Sequence, residues 1–169
     1  MSARLPELPE TPSRSPHFDS PEQEAFLNLW RTYDRLHALE EALFSRFELT
    51  PQQYNALRLL RGQGDEKLAT LALAARLVSR APDITRLLDK LEERDLVRRE
   101  RPPDNRRVVL IGLTAHGREL LARLDEEVRT CHAKQLGHLS PEQLAQLVAL
   151  LKAARAPHEG TGSHWEPSV

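Results

Sequence analysis

At 169 residues, with 40% hydrophobic and 29% charged side chains, the chain can bury one substantial core, and its length argues against two independent domains. No apolar run is long enough to span a membrane. Acids and prolines stand at the N-terminus where a signal peptide needs an apolar stretch, so the expectation is a cytoplasmic protein with no membrane partner. The single cysteine, Cys131, rules out an internal disulfide and fits a reducing compartment. The net charge of −1 does not announce a nucleic-acid binder, but its distribution is uneven. From Arg94 to Arg107 six arginines stand against three acids, a local +3 that leaves −4 for the rest of the chain. A basic patch on an otherwise acidic chain suits phosphate.

Residues 1–19 carry Pro6, Pro9, Pro12 and Pro16 with few apolar side chains, which predicts a disordered, proline-rich tail. Three helix starts then share one signature: Ser20-Pro21-Glu22-Gln23, Thr50-Pro51-Gln52-Gln53 and Ser140-Pro141-Glu142-Gln143. The hydroxyl residue caps, proline takes the first helical position, and glutamine reaches back to the cap. The signatures predict helices over about 21–47, 51–61 and 141–155. The first has an apolar stripe at helical spacing, Phe26, Leu29, Trp30, Tyr33, Leu36, Leu43, Phe44 and Phe47.

Ala69–Leu77 is alanine- and leucine-rich and favours helix. After a short break at Val78-Ser79-Arg80-Ala81, Pro82 opens a helix whose buried side is Ile84, Leu87, Leu88 and Leu91. Leu96–Arg101 and Arg107–Leu113 read as short strands flanking the turn residues Pro102-Pro103-Asp104-Asn105. Two helices with a tight turn, followed by a two-stranded hairpin with an arginine-rich tip, make a winged helix-turn-helix. A fifth helix, about 115–137, carries Leu120, Leu121, Leu124, Val128 and Cys131, and the sixth carries Leu144, Leu147, Val148 and Leu151. Long apolar stripes at both ends of a small chain predict a second copy that covers them. The expected architecture is therefore mainly α with a small β-hairpin wing. A dimerisation helix (20–48), a DNA-binding winged helix-turn-helix (49–113), dimerisation helices (114–156) and a flexible tail (157–169) follow the proline-rich tail.

On these residues the chain resembles the MarR family of bacterial regulators over roughly 20–155. The resemblance is carried by Leu49-Thr50-Pro51-Gln52-Gln53-Tyr54, by Asp83-Ile84-Thr85-Arg86-Leu87-Leu88-Asp89-Lys90-Leu91-Glu92 as a recognition helix, and by Leu96-Val97 entering the wing. Asp104-Asn105-Arg106-Arg107 resembles the family's Asp-x-Arg-Arg wing signature, and Leu113-Thr114-Ala115-His116-Gly117 its Leu-Thr-x-x-Gly entry to the fifth helix. Two departures stand out. Val78 occupies a region where relatives often carry glycine, and Pro82, which has no amide to donate, replaces a common serine. No operator sequence is carried over.

The resemblance implies a homodimer on double-stranded DNA, commonly as a repressor. Asp83, Arg86 and Lys90 lie opposite the apolar side of their helix, facing a major groove, with Arg80 of the turn near phosphate or a base. Asp83 has a second reading, as a complement to the helix dipole. In the wing, Arg106 is implied to enter a minor groove, with Arg107 on phosphate or bracing the hairpin and Asp104 tying down an arginine. The family also looks like a switch released by a small aromatic or phenolic ligand. Trp30, Tyr33 and His37 on the first helix, with Tyr54 and Arg58 on the second, are the candidate pocket; core or interface packing is the alternative for them. Cys131 falls on an apolar stripe, where an inert thiol is expected. The seven histidines show no tight ligand spacing, so neither metal nor other cofactor is expected. No phosphate-binding loop, dinucleotide fingerprint or nucleophile elbow is present, so no catalytic activity is expected either. The rival reading is a winged-helix module that docks proteins without binding DNA.

Overall fold

Two of the three helix-start signatures form complete capping boxes in the computed structural model, which describes residues 18–78 and 83–159. Thr50 Oγ1 accepts from the Gln53 amide at 3.2 Å while Gln53 Oε1 accepts from the Thr50 amide at 2.9 Å, and Ser140 with Gln143 repeats both distances. These caps open α2 (Pro51–Gly62) and α6 (Pro141–Arg155). The first signature differs. Ser20 Oγ accepts from the Gln23 amide, but the Gln23 side chain reaches one residue further, to Asp19. There it accepts from the Asp19 amide at 2.8 Å and donates to the carboxylate at 2.9 Å, two bonds where the box would supply one. Helix α1 follows, Pro21–Ser45.

The winged region comprises β1 (Leu68–Ala69), α3 (Thr70–Arg76), α4 (Ile84–Glu93), β2 (Val97–Glu100) and β3 (Leu110–Leu113). Its sheet has three antiparallel strands in the order β1-β3-β2. The expected hairpin is present, with Val97 opposite Leu113 and Glu100 opposite Leu110. β1 is an addition to it, pairing Leu68 with Ile111. The hairpin strands are also shorter than expected. Pro102 and Pro103 have no amide to donate to a ladder, and Arg107 lies in the turn.

α5 (Ala115–Leu136) completes the core. Leu57 and Leu60 of α2, Leu73 of α3, Leu88 and Leu91 of α4, Ile111 of β3, and Leu121 and Leu124 of α5 are all essentially inaccessible. Leu43 and Phe44 join them, and the Phe44 ring stacks on Tyr54 with centroids 4.4 Å apart. The entry to α5 is tightly built. Thr114 caps it by accepting from the Gly117 amide at 2.9 Å, and the Thr114 hydroxyl donates to the Asp95 carbonyl at 2.6 Å. Gly117 leaves no room for a side chain, since a Cβ there would stand 2.3 Å from the Leu96 carbonyl oxygen.

Contacts divide the chain within α1 into two units, one ending at Arg35 and one beginning at Leu36. In the first unit Phe26, Leu29, Trp30 and Tyr33 are exposed. In the second, α6 has no buried residue, and Val148 and Leu150 face solvent. A short 3-10 turn, Ala156–His158, follows α6. Among the described residues no helix is long and apolar enough to cross a membrane. Residues 1–17, 79–82 (with Arg80 and Pro82) and 160–169 lie outside the described residues.

Candidate nucleic-acid interface

α4 is positioned by its apolar side. Leu88 and Leu91 are buried, and Arg86 and Lys90, one turn apart, are exposed. Neither cation forms an ion pair with another described residue. Asp83 caps the helix, accepting from the Arg86 amide at 2.9 Å, so of its two expected roles the free chain displays the one at the helix terminus.

The wing tip is shaped by Asn105. Its amide donates to the Pro102 carbonyl, its side-chain oxygen accepts from the Arg107 amide at 3.3 Å, and its carbonyl accepts from the Val108 amide. Asp104, Arg106 and Arg107 are all exposed, and Asp104 holds no described arginine. Between the wing and α4 lies a cleft of about 610 Å³ lined by Leu71, Thr85, Leu88, Arg99, Arg101 and Arg107, among others. Leu71, at 82% exposure, stands on its rim.

Two arginines that sequence reasoning passed over organise this surface. Arg99 of β2 reaches across to α4: its guanidinium bonds Asp89 at 2.5 Å, Glu92 at 3.2 Å and the Thr85 carbonyl at 3.0 Å. Its backbone amide also donates to Glu92 at 3.0 Å. Arg94, which ends α4, donates to the Glu48 carbonyl at 2.5 Å and the Phe47 carbonyl at 3.0 Å, tying α4 to the chain that follows α1. A run of arginines beside acids was the only sequence signal for either, and it does not say which pairs form.

The expected ligand residues are divided. Tyr54 and Arg58 line one cleft of about 750 Å³ with Arg61, Asp125, Arg129 and His132. Burial raises the Tyr54 phenol above its ordinary value of 10.0, against the pull of Arg58 and Arg61. His37 does not line that cleft and stands near Glu41 (3.4 Å) and Glu40 (3.9 Å) of its own helix. Trp30 and Tyr33 belong to the first unit, where Trp30 lines a shallow groove with Phe18, Leu27 and Arg31. Cys131 is buried, and burial pushes its thiol up, which makes it a poor nucleophile. No group of three or more His, Cys, Asp or Glu side chains among the described residues is placed to hold a metal.

Residues 49–109 match the MarR family. The uncharacterized HTH-type transcriptional regulator YkoM of Bacillus subtilis (strain 168) is 31% identical over 143 residues, 81% of this chain and 90% of that protein. The crystal structure of a MarR transcription factor from Planctomyces limnophilus is similar at 55% identity, with a TM-score of 0.65 over 81% of this chain and 99% of that one. Sco3205, a MarR family transcriptional regulator from Streptomyces coelicolor crystallised in complex with DNA, has a TM-score of 0.76 over 90% of this chain and 98% of its own. At 19% identity that last likeness is one of fold. With the family pattern lying over its winged region, and with relatives at 31% and 55% identity matched over 90% and 99% of their own lengths, the chain belongs to the MarR family of transcriptional regulators.

Proposed function

We propose that this chain is a homodimeric, sequence-specific binder of double-stranded DNA that acts as a repressor, with α4 in the major groove and the wing in the flanking minor groove. The observation that carries the reading is the pairing of two exposed cation sets on one small domain. Arg86 and Lys90 project from α4, and Arg106 and Arg107 from the wing tip, without ion pairs to other described residues. Cations left available in this way can exchange counterions for phosphate or reach base edges. Arg80 would add a contact from the turn, Asp83 would keep its cap, and Asp104 would shape the wing. The exposed apolar residues of α1 and α6 support a second copy as their cover, with 20–48 and 114–156 as the dimerisation segments and 49–113 as the reading unit.

A small aromatic or phenolic acid is the proposed releasing ligand. The cleft at Tyr54 and Arg58 supports it, offering an aromatic ring beside guanidinium groups. Such a ligand would act by binding one spacing of the two reading helices better than the other.

The test is fluorescence anisotropy on duplex DNA from upstream of the chain's own gene, with a scrambled duplex as control, across a salt series. The reading expects tight, sequence-preferring binding that falls steeply with salt and is lost in an Arg106→Ala, Arg107→Ala variant. Folded, dimeric protein that binds no duplex at low salt would overturn it and favour the protein-docking alternative.

A further inference from the structure

The DNA-facing helix is the wrong sign for its task. From Asp83 to Glu93 it carries two cations, Arg86 and Lys90, against four carboxylates, Asp83, Asp89, Glu92 and Glu93, a net −2. The Asp83 carboxylate is engaged by one of the helix's own amides, that of Arg86. Asp89 and Glu92 have no such partner within α4, and they sit on the stripe beside Arg86 and Lys90.

Arg99 answers that charge from outside the helix. Thr85, Asp89 and Glu92 are spaced at i, i+4 and i+7, one face of α4, and the single guanidinium of Arg99 contacts all three. The side chain is 25% exposed, so its field is only partly screened by solvent. It also lines the cleft between α4 and the wing, where a phosphate backbone would run if α4 and Arg107 engage one duplex.

We propose that Arg99 is a positioning residue that makes α4 acceptable to DNA by cancelling the charge of Asp89 and Glu92. The cluster of Arg99, Asp89 and Glu92 carries −1 as it stands. Without the arginine it carries −2, and without the two carboxylates it carries +1. The inference rests on the reading of α4 as the DNA-facing helix and assigns that surface a charge-masking element outside the recognition helix.

Masking and mere bracing differ in sign. If Arg99 only braced the wing against α4, removing either side of the contact would weaken DNA binding. If it masks, removing the arginine weakens binding and removing the acids strengthens it. The experiment compares wild type, Arg99→Met and the Asp89→Asn, Glu92→Gln double variant by anisotropy on a specific and a scrambled duplex from low to moderate salt. Each variant's thermal unfolding is measured beside it. Arg99→Met is expected to lose roughly three- to tenfold in affinity, with a salt slope lower by about one. The double variant is expected to bind the scrambled duplex more tightly, with a slope higher by about two, and so to discriminate less. The triple variant, with the cluster neutral, should bind at least as tightly as wild type. Weaker binding by both Arg99→Met and the double variant, or no recovery in the triple variant while it remains folded, would overturn the inference. Specific wild-type binding with those same-sign losses sinks the masking role alone. Absence of wild-type binding removes the DNA-facing reading together with it.

Discussion

Replacing Gly117 by alanine sets two effects of opposite sign against each other. Gly117 is the third residue of α5, and alanine there gains helix preference worth up to about 1 kcal/mol. The new Cβ would meet the Leu96 carbonyl oxygen at 2.3 Å and Leu113 Cδ1 at 2.8 Å. Carbon and oxygen pack no closer than about 3.3 Å, so the helix start must retreat by roughly 1 Å. That movement pulls on the Thr114 bonds to the Leu96 and Asp95 carbonyls, which stand at 3.2 and 2.6 Å. Overpacking of this kind costs about 1–3 kcal/mol; the Leu113 methyl can turn aside, but the Leu96 carbonyl is backbone and leaves little means of relief. The expected net is a loss of about 1–2 kcal/mol, a fall of about 0.5–1 M in the urea midpoint with the slope unchanged. The measurement is made at one protomer concentration, because association adds to apparent stability. Gly112→Ala is the control: its Cβ would meet Lys67 Cγ at 3.3 Å, the stem of a flexible side chain that can move away. An unchanged or raised midpoint for Gly117→Ala would refute the close-packing argument and leave helix preference as the dominant effect.

Other substitutions probe separate joints. Arg94→Met removes two charge-assisted bonds to the Phe47 and Glu48 carbonyls and should cost about 2 kcal/mol in urea unfolding. Thr50→Ala and Ser140→Ala each remove a cap and should each cost about 1 kcal/mol, additively because the two capping boxes share no hydrogen-bond partner. Cys131 should react with iodoacetamide far more slowly in native protein than in urea at pH 8. Its thiol and the Tyr54 phenol are both held neutral by burial, with values raised above 9.0 and 10.0. Their contribution to stability is therefore complete below those values and declines as pH rises through them, so the urea midpoint should fall in the alkaline range.

Where local chemistry alone decides an element, the sequence was legible. Thr50 and Ser140 each stand before a proline and three residues ahead of a glutamine, and both boxes close. α4 was readable from Leu88 and Leu91 falling on one face, which leaves Arg86 and Lys90 outside. β1 was not readable, because two residues carry no alternation and Leu68–Ala69 becomes a strand only when β3 arrives beside it. The partner of the Gln23 side chain was misplaced because the Asp19 amide, in place of the Ser20 amide that the spacing implies, donates to its oxygen while the Asp19 carboxylate accepts from its nitrogen. Among the site residues, exposure of the wing arginines followed from the turn composition. The Arg99 cluster did not, because its partners lie seven to fourteen residues away on another element, and only the fold brings strand and helix face to face.

The central claim is that two copies of α4 read one duplex from adjacent turns. Methylation protection and hydroxyl-radical footprinting on a duplex selected by the protein from a random pool test it most directly. The account predicts two guanine-protected patches about one helical turn, roughly 34 Å, apart, flanked by minor-groove protection that disappears in the Arg106→Ala, Arg107→Ala variant. A single unpaired patch, or flanking protection untouched by loss of both arginines, would contradict it.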